Sequence, residues 1–392
     1  MSAKIRRERM KKIATGILIV AVSISSLFAI DIGGKINSTT KYQGVDFGSL
    51  KWYESAGIHV WLTQQFTEEL KLATDVSYEF RWDQADGTKR NILNLNVLKF
   101  TGLFKIKTAS TFEVSVGRFA VSDVTGAIFN QTNDGVFLKW TLPRGAVNIY
   151  GGITRLLNSH DTVILRQDSN TVVPISHAHV LYVLGPKYIP FGATMTITPM
   201  FLNQNFAMEG WGFFDFSGNE YHRLYGTLAL SGPLARNLFY TASTTFSKTT
   251  ADDFSNLSKI NVSYYPVQVA ALNFNFVYAS GNNGALAPFR GFSSQSAVLA
   301  TNSMDFSTEY DSKLIFGLSG SYTIASRVYL GAEIAAVFAC PDKTSYHGFQ
   351  WQFNAVWNIF HDLQISAGMY QYIANAKENG KTCFLLTGTF VF

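Results

Sequence analysis

From Ile30 to Phe392 the chain repeats one unit: apolar and polar residues alternate over a stretch long enough to cross a membrane as a strand, then a turn or loop follows. The last stretch is the plainest. In Thr382–Phe392, Phe384, Leu386, Gly388, Phe390 and Phe392 share one face, and Cys383, Leu385, Thr387, Thr389 and Val391 the other. In 348–359, Phe349, Trp351, Phe353, Ala355, Trp357 and Ile359 oppose Gln350, Gln352, Asn354 and Asn358. In 70–82, Leu70, Leu72, Val76, Tyr78, Phe80 and Trp82 oppose Lys71, Asp75, Ser77, Glu79 and Arg81. A period of two describes a β-strand with unlike faces. No segment of any length after residue 29 has helical periodicity.

Eighteen such segments lie near 30–38, 57–66, 70–82, 91–107, 111–121, 134–142, 146–156, 175–185, 192–203, 221–231, 236–247, 257–265, 269–280, 309–322, 327–338, 348–359, 363–373 and 382–392. They predict an all-β chain, a transmembrane antiparallel up-and-down β-barrel of sixteen to eighteen strands, eighteen by this count. The fourth is too long for one straight alternation, so Gly102 is expected to mark a bulge or bend. A chain that stops on an apolar strand leaves an unpaired edge. The segment 382–392 is therefore expected to close on 30–38, the segment with the least apolar content.

Short connections at Thr67–Glu69, Thr108–Ser110, Pro143–Gly145, Gly232–Ala235, Pro266–Gln268 and Phe360–Asp362 alternate with long polar ones such as 157–174, 204–220 and 281–308. Short periplasmic turns and longer external loops give this parity, which puts Phe392 on the periplasmic side. A soluble antiparallel sheet has the same alternation of faces, but no reason to keep the parity. Trp52, Tyr53, Trp82, Trp140, Tyr188, Tyr264 and Tyr265, near strand ends, suit interfacial aromatic girdles.

Composition agrees: 47% of residues are hydrophobic and 15% charged, against about 25% charged in soluble domains. The formal charge of +5 is local in origin. Lys4, Arg6, Arg7, Arg9, Lys11 and Lys12 face only Glu8, and an apolar run from Ile13 to Ala29 follows. A basic stretch, an apolar stretch and a small residue describe a cleaved signal peptide over 1–29, with the barrel over 30–392. The competing reading is a retained anchor, which Ser23, Ser25 and Ser26 weaken. Without 1–29, basic and acidic residues balance, which removes any global electrostatic case for nucleic acid. Cys340 and Cys383 form no metal motif, and either a disulfide or two free thiols is open.

The basic-apolar leader, the repeated amphipathic strands and a final strand ending in Phe392 resemble porin-like outer-membrane β-barrels of Gram-negative-type bacteria. The resemblance implies outer-membrane lipid around the barrel and a homotrimer as a common assembly. It also implies that Phe390 and Phe392 act as the C-terminal signal read by the barrel-assembly machinery.

If apolar faces meet lipid, polar faces line the interior, and sixteen to eighteen strands leave an aqueous channel. Passive diffusion of small polar solutes or ions is then the expected function. Candidate lumen residues are Lys71, Asp75, Glu79, Arg81, Lys105, Lys107, Glu113, Lys139, Arg223, Lys259 and Glu333. Rows of such charges set ion preference, although most wall charges are simply solvated or paired. Lys105, Lys107 and Lys139 together hint at anion preference. His177 and His179 project to one side of a strand, and without a third ligand they read as a lumenal polar pair rather than a metal site. No cofactor is called for. Narrowing has two candidates, 281–308 and 122–133, the latter because Ala127, Ile128 and Phe129 suit water poorly; an external cap is the simpler expectation for both. Other readings are a fatty-acid-type transporter, a surface adhesin and an outer-membrane hydrolase. No GxSxG or HExxH motif supports the last.

Overall fold

The computed structural model describes residues 30–83, 87–107, 109–158, 164, 181–200, 202–218, 221–250, 254–281, 286–293, 312–340, 345–375 and 380–392. The leader expected over 1–29 and the pair His177 and His179 lie outside the described residues. The strands are β1 (Ile30–Gly44), β2 (Lys51–Gln65), β3 (Leu70–Asp83), β4 (Lys89–Lys107), β5 (Ser110–Ser122), β6 (Asn130–Leu142), β7 (Gly145–Ile153), β8 (Tyr188–Ile197) and β9 (Asn205–Asp215). Then come β10 (Arg223–Ala235), β11 (Leu238–Thr249), β12 (Ser255–Val267), β13 (Ala270–Ala279), β14 (Lys313–Ile324), β15 (Val328–Ala339), β16 (Ser345–Asn358), β17 (Leu363–Ala374) and β18 (Lys381–Val391).

Each strand pairs antiparallel with its neighbours in sequence, and β1 pairs with both β2 and β18, so the 18-stranded sheet closes. The seam runs from Lys35 opposite Val391 to Gly44 opposite Thr382. Gly34 and Phe392 exchange backbone hydrogen bonds of 2.8 and 2.9 Å at its end. The expected closure on the least apolar segment therefore stands, with β1 longer than its apolar content suggested. Closure leaves neither terminal strand with an open edge.

Connections 66–69, 108–109, 143–144, 198–204, 236–237, 268–269, 325–327 and 359–362 lie at the end of the barrel where β1 starts and β18 stops. The remaining strand ends, including those that 154–187 and 280–312 join, are at the other end. The parity read from the sequence is kept around the whole barrel. The two-residue turn at 236–237 uses Asn237 at φ of 63°, a residue type that tolerates positive φ.

Alternate residues of each strand face opposite ways, and the apolar set faces out. On β10, Leu224 and Leu228 are 53% and 46% exposed, whereas Arg223 and Thr227 on the other face are 1% and 2% exposed. On β18, Leu386 and Phe390 are exposed, and Cys383 and Leu385 are buried. A soluble protein buries its apolar face and rarely exposes a large contiguous one. Here the pattern is inverted on most strands.

Three expectations need correction. The segments expected at 175–185 and 192–203 are instead β8 and β9, at Tyr188–Ile197 and Asn205–Asp215. Residues 181–185 form no strand, only the bridge of Leu184 to Asn158. β9 was hidden in a supposed loop because its faces run against the rule: Gly210 and Gly212 face out, and Trp211 and Phe213 face in. Second, Gly102 sits in regular register opposite Leu70 and Val114. The bulge of β4 is at Asn96, skipped between Leu95 and Val97, and the backbone of β5 turns at Gly117 with φ of 119°. Third, Tyr53 and Tyr188 are not girdle residues. Tyr188 is buried on the inner face, and Tyr53 lies under the Lys41 ammonium at 5.1 Å.

After Gly117 the wall itself changes. The ladder of β4 with β5 ends at Leu98 opposite Arg118. Beyond it, Leu93 takes its bonds from the 154–187 connection, with Leu93 N donating to Leu181 O and Asn158 Nδ2 to Leu93 O, both at 3.2 Å. Arg118 spans the split. Its guanidinium binds Asp134 through two bonds of 2.8 and 2.7 Å, Leu95 O at 3.2 Å and Leu156 O at 2.7 Å.

Candidate functional site

The interior of the barrel is the candidate site, and strand register decides what it contains. On β3 the period of two puts Lys71, Asp75, Glu79 and Arg81 on the inner face. Arg81 grips Glu79 with two bonds of 2.9 and 2.8 Å. Asp75 accepts from Asn96 Nδ2 at 2.6 Å and lies 3.9 Å from His59 Nδ1. Above them a cavity of about 370 Å³ is lined by Thr39, Lys41, Tyr53, Glu79, Arg81, Asp83 and Arg90. Cations and anions are mixed along this wall, so its local charge is neither uniformly positive nor uniformly negative.

Lys71 and Lys105 lie near the short-turn end, and Lys105 is exposed there. The backbone of Lys107 pairs with Ser110, and its side chain is outside the described residues. Lys139 stands directly opposite Glu113, which also lies 3.6 Å from Lys99 Nζ. The basic group expected from Lys105, Lys107 and Lys139 is thus not brought together as an isolated patch. Lys259 lines a second cavity with Thr241, Ser243, Asn261 and Asn275. Glu333 is buried and accepts from Gln352 Nε2 at 3.2 Å.

Arg223 does not meet solvent. Its guanidinium lies 4.6 Å from the Tyr221 ring centroid and 5.3 Å from that of Phe292, and donates to Gly291 O at 3.0 Å. It anchors one of two loop segments that pack on the inner face of β7–β13. In 286–293, Phe289 and Phe292 are fully buried, and Tyr225 donates to Arg290 O at 2.8 Å. In 123–129, Ile128 and Phe129 are fully buried. The two meet where Phe292 N donates to Ile128 O at 2.9 Å.

Aromatic stacking sets their place. Phe129 lies 5.1 Å from Trp211 and 5.3 Å from Phe213, and Phe213 stacks on Phe292 at 3.9 Å. The inward aromatics of β9 exist to receive these loops. The external cap expected for both is corrected for these residues, since they pack inside the wall.

Two carboxylates that the sequence did not single out fix the first loop. Asp123 is buried and accepts from Thr125 N at 2.8 Å, Ile128 N at 2.9 Å and Phe129 N at 2.8 Å. Glu209 accepts from Val124 N at 3.0 Å and from Thr194 Oγ1 at 2.7 Å. The Asp123-Val-Thr-Gly order is a readable turn signal; Glu209 gave none, because its strand was read as a loop. Lys99 shares the parity of Lys105 and was readable. Cys340 and Cys383 are free thiols.

No family model and no curated protein matches the chain. Solved structures do. OpdL of Pseudomonas aeruginosa aligns with a TM-score of 0.60 at 13% identity, over 93% of this chain and 99% of that one. OccK9 (OpdG) of the same organism gives 0.61 at 10%, over 93% and 99%. Its outer membrane protein OpdK gives 0.58 at 10%, over 92% and 98%, and has also been solved with vanillate. The fold is that of a porin-like outer-membrane barrel. At these identities the likeness is one of architecture, and it extends over nearly the whole of the porin-like chains compared.

Proposed function

We propose that this chain is an outer-membrane channel for passive diffusion of small polar solutes or ions. The observation that carries the reading is the inversion of faces on a closed barrel: apolar residues outward on all sides, with Lys, Arg, Asp and Glu side chains facing in. A charge in hydrocarbon is costly and a charge in a water-filled bore is not. The segments 123–129 and 286–293 would narrow that bore from the β7–β13 side, leaving the charged wall of β1–β4 as the open side.

In this reading residues 1–29 are removed on export, Phe392 lies at the periplasmic rim, and Phe390 and Phe392 are read by the barrel-assembly machinery. Lipid covers the outer face, and a homotrimer is the assembly carried over from porins. The chain acts as a channel, not an enzyme. Liposomes loaded with a graded series of small polar solutes test it. Efflux that falls steeply with solute size is the expected result. Correctly folded, inserted protein that releases nothing above empty liposomes would exclude the reading.

A further inference from the structure

The inner wall is chemically divided. The charges described above cluster on β1–β6, whereas the inner faces of β11–β13 carry amides and hydroxyls, with Lys259 the one charged residue there among those described. These groups hold one another. Ser263 Oγ lies 2.8 Å from Asn261 Oδ1 and 2.7 Å from Asn273 Oδ1. Asn261 Nδ2 donates to Asn275 Oδ1, and Asn273 Nδ2 donates to Ser319 Oγ at 3.3 Å. A primary amide has two N–H groups. The second donors of Asn261 and Asn273, and both of Asn275, meet no protein acceptor among the described residues.

Asn261 and Asn275 border a cavity of about 310 Å³ that is also lined by Val124 and Thr125 of the in-folded loop. That volume is at the lower end for small-molecule sites, about 300 Å³ and upward. The loop is held as well, since Asp123 accepts from Thr125 N and Glu209 from Val124 N. The cavity thus mixes neutral donors and acceptors from Thr125, Thr241, Ser243, Asn261 and Asn275 with apolar surface from Ala229, Phe276 and Val277, and Lys259 is its one charged residue.

We propose that this cavity is a binding subsite for a small neutral polyhydroxylated solute, of monosaccharide size. It rests on the channel reading above. Hydroxyl groups both donate and accept, as the amides, Thr241, Ser243 and Thr125 do. A phosphate or a dicarboxylate would need several converging cations, and Lys259 is the one present on these walls. Binding here is weak by design, because a permeating solute must leave as readily as it enters.

The test uses the full barrel in planar bilayers, with glucose, glucuronate and inorganic phosphate added in turn. Glucose is expected to reduce ion current saturably, and more effectively than either anion. Asn275→Leu and, separately, Asn261→Ala should each raise the half-blocking concentration about fivefold, the equivalent of one hydrogen bond, with block read as a fraction of each variant's own sugar-free current. An open channel with no saturable sugar effect overturns the subsite and leaves the channel standing. So does stronger block by an anion, or block unchanged in both variants. No conductance at all overturns both.

Discussion

Asp123 shows how one side chain can fix a loop inside a barrel. Its carboxylate gathers three backbone N–H groups and the Thr125 hydroxyl into one turn, which leaves Ile128 and Phe129 free to enter the aromatic cluster. Hydrogen bonds to a charged acceptor are worth about 1.5–3 kcal/mol each, so Asp123→Ala should release the turn. The expected outcome is a larger and noisier single-channel conductance, with a barrel that still folds. Arg118 is the second residue on which much depends. Its ion pair with Asp134 is largely buried and stands where a strand ladder is missing. Breaking a buried pair by removing one partner costs about 3–5 kcal/mol. Arg118→Met should lower the urea midpoint of the refolded barrel by a corresponding amount, whereas Arg81→Met, at an exposed pair, should shift it by about 1 kcal/mol or less. Neither role was legible in the sequence. Asp123 looked like an ordinary turn residue, and Arg118 lies on the lipid-side parity of its strand, where a charge makes sense only once the 154–187 connection is seen to cover it.

Strands were far more legible than residues, for a definite reason. Where lipid lies on one side and water on the other, each strand must alternate, and β3, β10, β16 and β18 do. The alternation fails where protein replaces water on the inner side. β9 carries Trp211 and Phe213 inward because Phe129 and Phe292 sit on them, and it was the strand the pattern missed. Lys71, Asp75, Glu79 and Arg81 share one face of β3 because that strand alternates regularly, whereas Arg223 serves an internal loop. Two expectations follow for the elements. Leu228→Arg on the outer face should cost about 2–4 kcal/mol if near the bilayer midplane and depress the folded fraction, while Thr241→Arg on the inner face should fold and shift the reversal potential toward anions. At the seam, Thr39 and Thr387 are directly opposite with their hydroxyls 3.0 Å apart. Paired residues in antiparallel strands lie within disulfide reach. Thr39→Cys with Thr387→Cys should therefore crosslink and give a barrel that no longer unrolls on boiling without reductant.

At the scale of the whole molecule, eighteen strands, closure of β1 on β18 and the separation of short turns from long loops define a closed barrel with unlike inner and outer faces. In the proposed channel the bore is the space left between the 123–129 and 286–293 segments on one flank and the charged residues on the other. Its central consequence is ion flow, and single-channel recording of the refolded chain in a planar bilayer measures that directly. Discrete, ohmic conductance steps that scale with salt concentration are the result this structure predicts. A barrel shown to be folded and inserted, yet giving no steps above the bare bilayer, would contradict it.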